Sequence, residues 1–420
     1  MTACKLRQFG IRFAIVFFPL FIFLEPNGFI PNTDNIYNWY IHPFHIFIPW
    51  VGAHILHLSY PIIYFTYGSG DTTYDWIILA MTFLVALIAT IIWSIFVRRR
   101  NPDHNVAWRW LLILIRYFVA FTMISYGFAK VFHLQFPFPS PGRLQQSFGN
   151  ASPMGLAWTF FGYSTGYNIF TGMAEVISGV LLMFRRTVRI GALLSLVVMG
   201  NIMAINYAYD VCVKLMSTML VIMSIILVIR DWQPHYDFFI GNRLAGSDDE
   251  LSPRFHKRGL DIAKLIFKYA LITYVFGGSL WTMHKYYKEY GQDPPLLGLY
   301  DVQHFVRGSD TLAPLLTDTI RWRKLTVGHY GYASIRMMND STRLYNFQPD
   351  TVKHQVVMFT DEDTLHKYHL AYEKIGVDSF TIKGRFNTDS ITIAMKKFDD
   401  KKFILVSRGF HWINETPYNR

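Results

Sequence analysis

Several ionisable side chains lie within long apolar runs of this sequence or at their ends. Glu175 is half-way along the apolar run Tyr167–Phe184, and Lys130 closes the run Ala107–Lys130. Charged groups inside a lipid bilayer are costly, so such residues are candidates for function by default. The candidate catalytic residues are Lys130, Glu175, Asn206, Asp210 and Lys214.

Two main interpretations of these five residues stay open. In the first they form a buried ion-pair network that fixes the helix packing, because buried charges are tolerated only when they are paired. In the second they line an outward-facing polar pocket that holds a quinone or a lipid head group, or that relays protons. A third possibility applies to Lys130, whose long side chain can extend to water. We expect Glu175, Asn206, Asp210 and Lys214 to meet in one cluster, with Lys130 as a further cation.

Four histidines precede the second long apolar run. His42 and His45 are three positions apart, as are His54 and His57, so each pair shares one face if the segment is helical. Paired imidazoles can bind a transition metal. The alternative is that they are ordinary histidines of a membrane interface.

A second group of candidates stands near the C-terminus, where polar and aromatic residues are dense. Arg408, His411 and Glu415 can line a pocket in a folded domain. The alternative is that they end a last strand, with Trp412 plugging a barrel and Arg408 donating to backbone carbonyls. The run Arg321–Lys324 is similarly dense.

The composition places these residues in a membrane protein. Of 420 residues, 52% are hydrophobic and only 16% are charged, which is unusual for a soluble chain of this length. The formal net charge of +11 does not indicate nucleic-acid binding, because much of the basic excess stands at the ends of apolar runs, where it marks topology. The two cysteines, Cys4 and Cys212, form no Cys-x-x-Cys motif, which argues against a dithiol oxidoreductase.

Seven apolar runs are each long enough to cross a bilayer of about 30 Å. They are Gln8–Leu24, Asp75–Val97, Ala107–Lys130, Tyr167–Phe184, Val188–Tyr207, Val213–Ile229 and Ala263–Met283. With seven spans every Lys- and Arg-rich loop falls on the same side, which predicts a cytoplasmic N-terminus and a periplasmic C-terminal domain. The further apolar segment Phe44–Tyr64 follows Pro43 and contains Pro49 and Pro61, so we expect a re-entrant or interfacial element on the outer face.

The chain divides into four predicted regions. Residues 1–106 hold the first helices and the outer segment, 107–230 a four-helix core, 231–290 a cytoplasmic segment and the last span, and 291–420 a soluble domain. In the last region short alternating runs, the final one at Lys402–Ser407, are separated by turn residues. This pattern predicts an all-β barrel or sandwich, with a lipocalin-like barrel as the first expectation.

From Ala107 to Ile229 the sequence resembles the DoxX-like membrane proteins. The resemblance rests on Tyr126–Lys130, on Gly172–Glu175 together with Gly179, and on Asn206–Leu215. The added helices and the C-terminal tail look like an extended form of this family from Bacteroidetes-type bacteria. The resemblance implies residence in a bacterial inner membrane and a link to quinone or redox chemistry, with quinone as the candidate cofactor.

Two functions therefore follow as hypotheses, and neither fixes whether the chain is an enzyme. The first is support of quinone- or lipid-linked redox chemistry through an outward-facing polar pocket. The alternative is a non-catalytic assembly or scaffold protein whose β domain binds a membrane or periplasmic partner. A transporter is disfavoured because the sequence shows no inverted repeat. The expected surroundings are the lipid bilayer and a protein partner, without nucleic acid.

Overall fold

The structure is a computed structural model that describes residues 2–28, 30–64, 68–97, 104–241, 258–291, 293–329 and 331–419. It divides into two compact units. We call Met1–Gln135 with Ser164–Tyr286 the helical unit, and Phe136–Tyr163 with Tyr287–Arg420 the barrel unit. The second unit therefore takes a segment from the middle of the region predicted as a four-helix core.

The described chain forms α-helices in the following order. They are α1 (Thr2–Leu24), α2 (Asp34–His54), α3 (Thr73–Phe96), α4 (Asn105–Val131), α5 (Pro141–Leu144), α6 (Pro153–Tyr163), α7 (Thr165–Met183), α8 (Val188–Ala208), α9 (Lys214–Arg230), α10 (Trp232–Phe239), α11 (Arg258–Tyr290) and α12 (Ile404–Ser407).

Five of these helices are long and apolar enough to cross a membrane. They are α1, α3, α4, α7 and α8. A sixth candidate is the pair α9 and α10, which is bent by 70° at the break between the two helices. The seventh predicted span, Ala263–Met283, lies within α11, where Lys264, Lys268 and several tyrosines dilute the apolar residues. The helical bundle is thus observed, and a count of seven spans stays a prediction.

The core of the helical unit surrounds α4. Ile115, Phe118, Val119 and Ile124 are fully buried there, and side chains of α1, α7, α8 and α9 pack against them. An apolar helix that is covered on nearly all sides belongs at the centre of a bundle. Consequently any charged side chain near the end of α4 must find its partner on a neighbouring helix.

The predicted outer segment Phe44–Tyr64 is helical up to His54, where α2 ends. One face of α2, with Ile41, Ile48 and Val51, packs against Leu24 at the end of α1 and against Ile77 and Ile78 at the start of α3. The opposite face leaves large side chains exposed, among them Trp39, which is 80% exposed. This packing joins α2 to one end of two other helices, and its interfacial position stays a prediction.

The barrel unit contains nine antiparallel strands. They are β1 (Gly298–Arg307), β2 (Asp310–Thr311), β3 (Trp322–Val327), β4 (Tyr332–Met337), β5 (Thr342–Asp350), β6 (Gln355–Phe359), β7 (Tyr368–Lys374), β8 (Ser379–Phe386) and β9 (Asp389–Lys397). Apart from the two-residue β2, each strand pairs with the next, and β9 pairs with β1 from Tyr300↔Lys397 to Arg307↔Ile391. These eight strands close an up-and-down barrel, so of the two predicted all-β architectures the barrel is confirmed.

The last predicted strand, Lys402–Ser407, is wrong. The chain leaves β9 at Lys397, and residues 400–407 form a short 3-10 helix followed by α12. The side chain of Asp399 accepts a hydrogen bond from the backbone amide of Lys401 at 3.0 Å and so begins a helical turn. Because β9 already pairs with β1, the closed sheet offers no free edge to a further strand.

The segment Phe136–Tyr163 belongs to the same compact unit as the barrel. Ser140 caps α5 by accepting a hydrogen bond from the backbone amide of Arg143, and α5 contacts β1 and β3. Gln145 Nε2 donates to Thr326 Oγ1 at 2.6 Å. With only 11 residues α6 is too short to cross a bilayer.

Candidate functional site

Facing glycines bring α4 and α7 into direct backbone contact. A Cβ atom added at Gly127 would lie 2.6 Å from the carbonyl oxygen of Gly172, and one at Gly179 would lie 2.6 Å from that of Ala120. Such distances are too short for any side chain, so only glycine fits these positions. Small residues at these spacings allow close helix packing inside a membrane. This contact holds Glu175, which lies between Gly172 and Gly179 of α7, against the end of α4.

Lys130 and Glu175 form a buried ion pair across this contact. Lys130 Nζ donates to Glu175 Oε1, and the two residues are 6% and 1% exposed. Glu175 Oε2 is also buried, and it has no hydrogen-bond partner within the described part of the chain. One turn before Lys130, the Tyr126 hydroxyl donates to Asn27 Oδ1 at 2.9 Å, which ties the segment after α1 to α4.

A second polar group joins the start of α9 to the loop before α3. Lys214 Nζ lies 2.8 Å from Asp210 Oδ1 and 3.8 Å from Asp71 Oδ2. The Asp71 carboxylate also accepts hydrogen bonds from the backbone amides of Lys214 at 2.7 Å and Leu215 at 2.9 Å. It thereby satisfies amide groups that α9 leaves open at its first turn. The sequence analysis missed Asp71, because the helix that it caps begins more than 140 positions later.

Direct hydrogen bonds and ion pairs join the predicted residues in two groups, Lys130 with Glu175 and Lys214 with Asp210. No hydrogen bond or ion pair of the described residues connects Glu175 to Asp210 or Lys214. Asp210 follows the end of α8 with a positive φ of 51°, and its side chain is 83% exposed. Asn206 is buried, and its backbone carbonyl accepts from the Val211 amide at 2.9 Å. The reason for the division is that Lys130 offers Glu175 a cation at its own level in the bundle.

The four histidines do not assemble into one metal site. In the described residues no three His, Cys, Asp or Glu side chains are placed to share an ion. His45 Nδ1 lies 2.9 Å from the Tyr74 hydroxyl, and its ring stacks on Tyr64. His54 Nδ1 bonds to the Trp50 carbonyl within α2. The rings of His42 and His45 are 6.4 Å apart, and His57 is exposed in the loop after α2.

The C-terminal candidates lie outside the barrel sheet, in the segment after α12. Arg408 Nη2 donates to Asn414 Oδ1 at 2.6 Å, and its guanidinium stacks on Tyr418. His411 and Glu415 are exposed, and Trp412 is 91% exposed, so it does not plug the barrel. The segment after α12 has no strand to pair with, because the barrel is already closed.

In the structure a different pair, Trp322 and Arg321, fills the barrel and donates to backbone carbonyls, as had been considered for Trp412 and Arg408. Trp322 is 1% exposed within the barrel core. Arg321 is buried, and its guanidinium donates to the backbone carbonyls of Leu312 at 3.1 Å and Trp322 at 3.3 Å. Burial lowers the pKa of Arg321, and Asp318 partly opposes this effect. Trp322 and Arg321 thus help to fill the core of the barrel.

Glu25 is a further titratable group that the sequence analysis did not single out. It follows the last residue of α1, and its backbone amide donates to the Phe21 carbonyl at 2.8 Å, while its carboxyl group has no hydrogen bond among the residues the structure describes. Burial and, to a smaller extent, the negative charge of the nearby Asp75 raise the pKa of Glu25 to about 8. The group therefore holds a proton at neutral pH, and no sequence signal marks it, since its burial depends on the packing of α2.

Comparison with known proteins gives one informative relationship. No protein-family model matches the chain, and no solved structure matches it. The uncharacterized protein YwoB of Bacillus subtilis (strain 168) is 40% identical over 116 residues, which are 28% of this chain and 73% of YwoB. The chain therefore belongs to the same family as YwoB, through a segment that makes up little more than a quarter of its length.

Proposed function

We propose that the chain is a multi-pass protein of a bacterial inner membrane, with a cytoplasmic N-terminus and the barrel unit in the periplasm. Five apolar helices and the Lys- and Arg-rich loops support this topology. The barrel unit gives a further argument. Its two segments follow α4 and α11, and one compact unit lies on one side of a bilayer, which supports placing the C-terminal ends of both helices on the same side. The DoxX-like resemblance of Ala107–Ile229 agrees with this proposal and stays a prediction.

The topology is tested with two reporters fused after Arg420. Alkaline phosphatase, which is active only in the periplasm, should be active there, and green fluorescent protein should stay dark when it is exported by the general secretion pathway. The opposite pattern would place the barrel in the cytoplasm and refute the proposed orientation.

Within this membrane the best supported role is assembly without catalysis, with the barrel unit holding a partner protein. The observation that carries it is the pairing of the buried charges. Among the five candidate catalytic residues, the buried Glu175 pairs with the buried Lys130, and the partly exposed Lys214 pairs with Asp71 and Asp210. A bundle of this kind serves as a rigid support. The exposed tail after α12 offers a contact surface through Phe410, Trp412 and Ile413.

A photoreactive amino acid at position 412 of the full-length chain tests the assembly role in cells. The expected result is a crosslink to one defined protein that persists in the Glu175→Gln variant and disappears when Phe410 and Ile413 are replaced by serine. The matched control places the photoreactive group at Lys353, an exposed residue of the barrel unit. No protein crosslink at 412, or the same crosslinks at both positions, would contradict a partner at the tail.

The unpaired oxygen of Glu175 favours a second candidate, quinone-linked redox chemistry. Glu175 Oε2 is buried next to Lys130 without a hydrogen-bond partner in the described chain, and a carboxylate so placed can receive a proton. Titration of the purified protein with a short-chain quinone should then quench tryptophan fluorescence in a saturable way, and Glu175→Gln should weaken it. Unsaturable quenching that is equal in both proteins would leave assembly as the function.

A further inference from the structure

A long groove runs along the helical unit between α4, α11 and the end of α7. Its volume is 1410 Å³, which exceeds the size usual for drug-like ligands. Along α4 it extends from Trp110 to Phe121, or about 16 Å at 1.5 Å per residue. Its walls are mainly aliphatic and aromatic, with Phe118 from α4 and Leu265 and Leu271 from α11. These dimensions and walls fit an acyl chain.

Five cationic side chains line the same groove. They are Arg116, Arg185, Arg186, Lys264 and Lys268. The one acidic residue in the lining, Asp261, lies 2.8 Å from Lys264. No carboxylate of the described residues lies within ion-pair distance of Arg116, Arg185, Arg186 or Lys268. The groove therefore carries an excess of positive charge.

Arg116 is the residue that points to a ligand. It is only 6% exposed, and its Nε is buried without a hydrogen-bond partner in the described chain. Its guanidinium carbon lies 4.9 Å from the centre of the Tyr117 ring. A buried guanidinium without an anion is unfavourable, and its planar donors match the oxygens of a phosphate.

Lys268 and Arg185 stand at the same level of the groove as Arg116. Lys268 Nζ is 5.7 Å from the centre of the Phe184 ring, which connects α11 to the end of α7. Lys268 feels the positive charge of both Arg116 and Arg185. Three like charges in one partly apolar groove repel one another, and an anion between them removes this repulsion.

We propose that this groove binds an anionic phospholipid, with the phosphate among Arg116, Arg185 and Lys268 and an acyl chain along α4 and α11. In the proposed topology the basic loop between α7 and α8 is cytoplasmic, and the groove opens at the leaflet surface that is rich in anionic lipids. The inference rests on membrane residence and is independent of the role of the barrel unit.

Native mass spectrometry of the full-length protein tests the proposal, with phosphatidylglycerol, phosphatidylcholine and inorganic phosphate as separate probes. Both lipids contain a phosphate group, but only phosphatidylglycerol carries a net negative charge. Phosphatidylglycerol should therefore bind to the cationic groove at least about tenfold more tightly than phosphatidylcholine. Arg116→Gln and Lys268→Gln should each weaken this binding by about tenfold. Lys285→Gln, which removes an exposed charge from α11 outside the groove, should leave it unchanged.

Three results would overturn the proposal. One is equal binding of the two lipids, and another is binding of phosphatidylglycerol that is the same in Arg116→Gln, Lys268→Gln and Lys285→Gln. The third is displacement of the lipid by an equal concentration of inorganic phosphate, which would identify a site for free phosphate. If Arg116→Gln does not fold, the test uses Lys268→Gln and Arg185→Gln. Arg185 is exposed and Lys268 is only partly covered, so these two substitutions should not prevent folding.

Discussion

The carboxylate of Asp71 accepts a hydrogen bond at 2.7 Å from the backbone amide of Lys214, although 143 positions separate the two residues. A second bond, from the amide of Leu215, completes the cap. The loop before α3 and the first turn of α9 are therefore held together at one end of the bundle. An ion pair of Lys214 with Asp210, two of the candidate residues, lies beside this cap at 2.8 Å.

Replacing Asp71 with alanine should lower the free energy of unfolding by about 1–2 kcal/mol, because α9 loses its N-terminal cap. Thermal unfolding of the detergent-solubilised protein measures the effect. Asp71→Asn should restore part of the loss, since an amide oxygen still accepts. Asp34→Ala is the control, because the start of α2 has no side-chain cap. Equal losses in both alanine variants would show that Asp71 acts through its charge alone.

Breaking the Lys130–Glu175 pair from one side should be more damaging than removing both charges. Lys130→Met or Glu175→Leu alone should cost about 3–5 kcal/mol, because each leaves a buried charge without its partner. The double variant should be less destabilised than the worse single variant. Equilibrium unfolding of the four proteins gives the coupling energy. The exposed Arg323–Asp340 pair is the control, and its removal should cost less than about 1 kcal/mol.

Glu25 should make stability depend on pH between about 4.5 and 8. Its pKa is raised by burial from 4.5 to about 8, so in this range the folded protein binds a proton that the unfolded chain releases. Stability from this group is therefore greatest below pH 4.5 and falls as the pH rises to about 8. The difference in melting temperature between Glu25→Gln and the native protein should therefore shift in favour of the variant as the pH rises from 5 to 8. Glu289→Gln, which changes an exposed residue of α11, should follow the native protein throughout.

Residues 291–420 expressed alone should give the circular-dichroism spectrum of a β protein, because the eight-stranded barrel closes on itself. Joining Phe136–Tyr163 through a flexible linker should raise the melting temperature. In the joined protein Gln145→Ala should lower stability by about 1 kcal/mol, since it removes the bond to Thr326. A spectrum of an unfolded or helical chain for both proteins would contradict the independence of the barrel unit.

Local patterns were sufficient for much of the fold. Alternation of apolar residues predicted the strands around Trp322–Val327 and Gln355–Phe359, which the structure contains. The glycines at positions 172 and 179 predicted the close approach of a neighbouring helix, and α4 makes that approach. Both features depend on residues near one another in the chain, so a single sequence reveals them.

Features that depend on distant residues were missed or misassigned. Asp71 caps a helix that begins far along the chain. The pKa of Glu25 is raised by packing that no local sequence pattern indicates. The Arg408–Glu415 segment resembles a last strand in composition, but barrel closure by β9 leaves it no edge. Lys130, expected as a further cation, is the residue that pairs with Glu175, and no local pattern in the sequence shows that these two side chains face each other.

The division of the barrel unit into two distant segments has a consequence for the order of synthesis. Phe136–Tyr163 leaves the ribosome long before β9, whose pairing with β1 completes the barrel. At 5–20 residues per second the delay is on the order of ten seconds or more. During that time α5 and α6 have no barrel to pack on, while the remaining helices of the bundle are still being translated. Their apolar surface must be sheltered by a chaperone or by the membrane itself, and slower translation would lengthen that exposure.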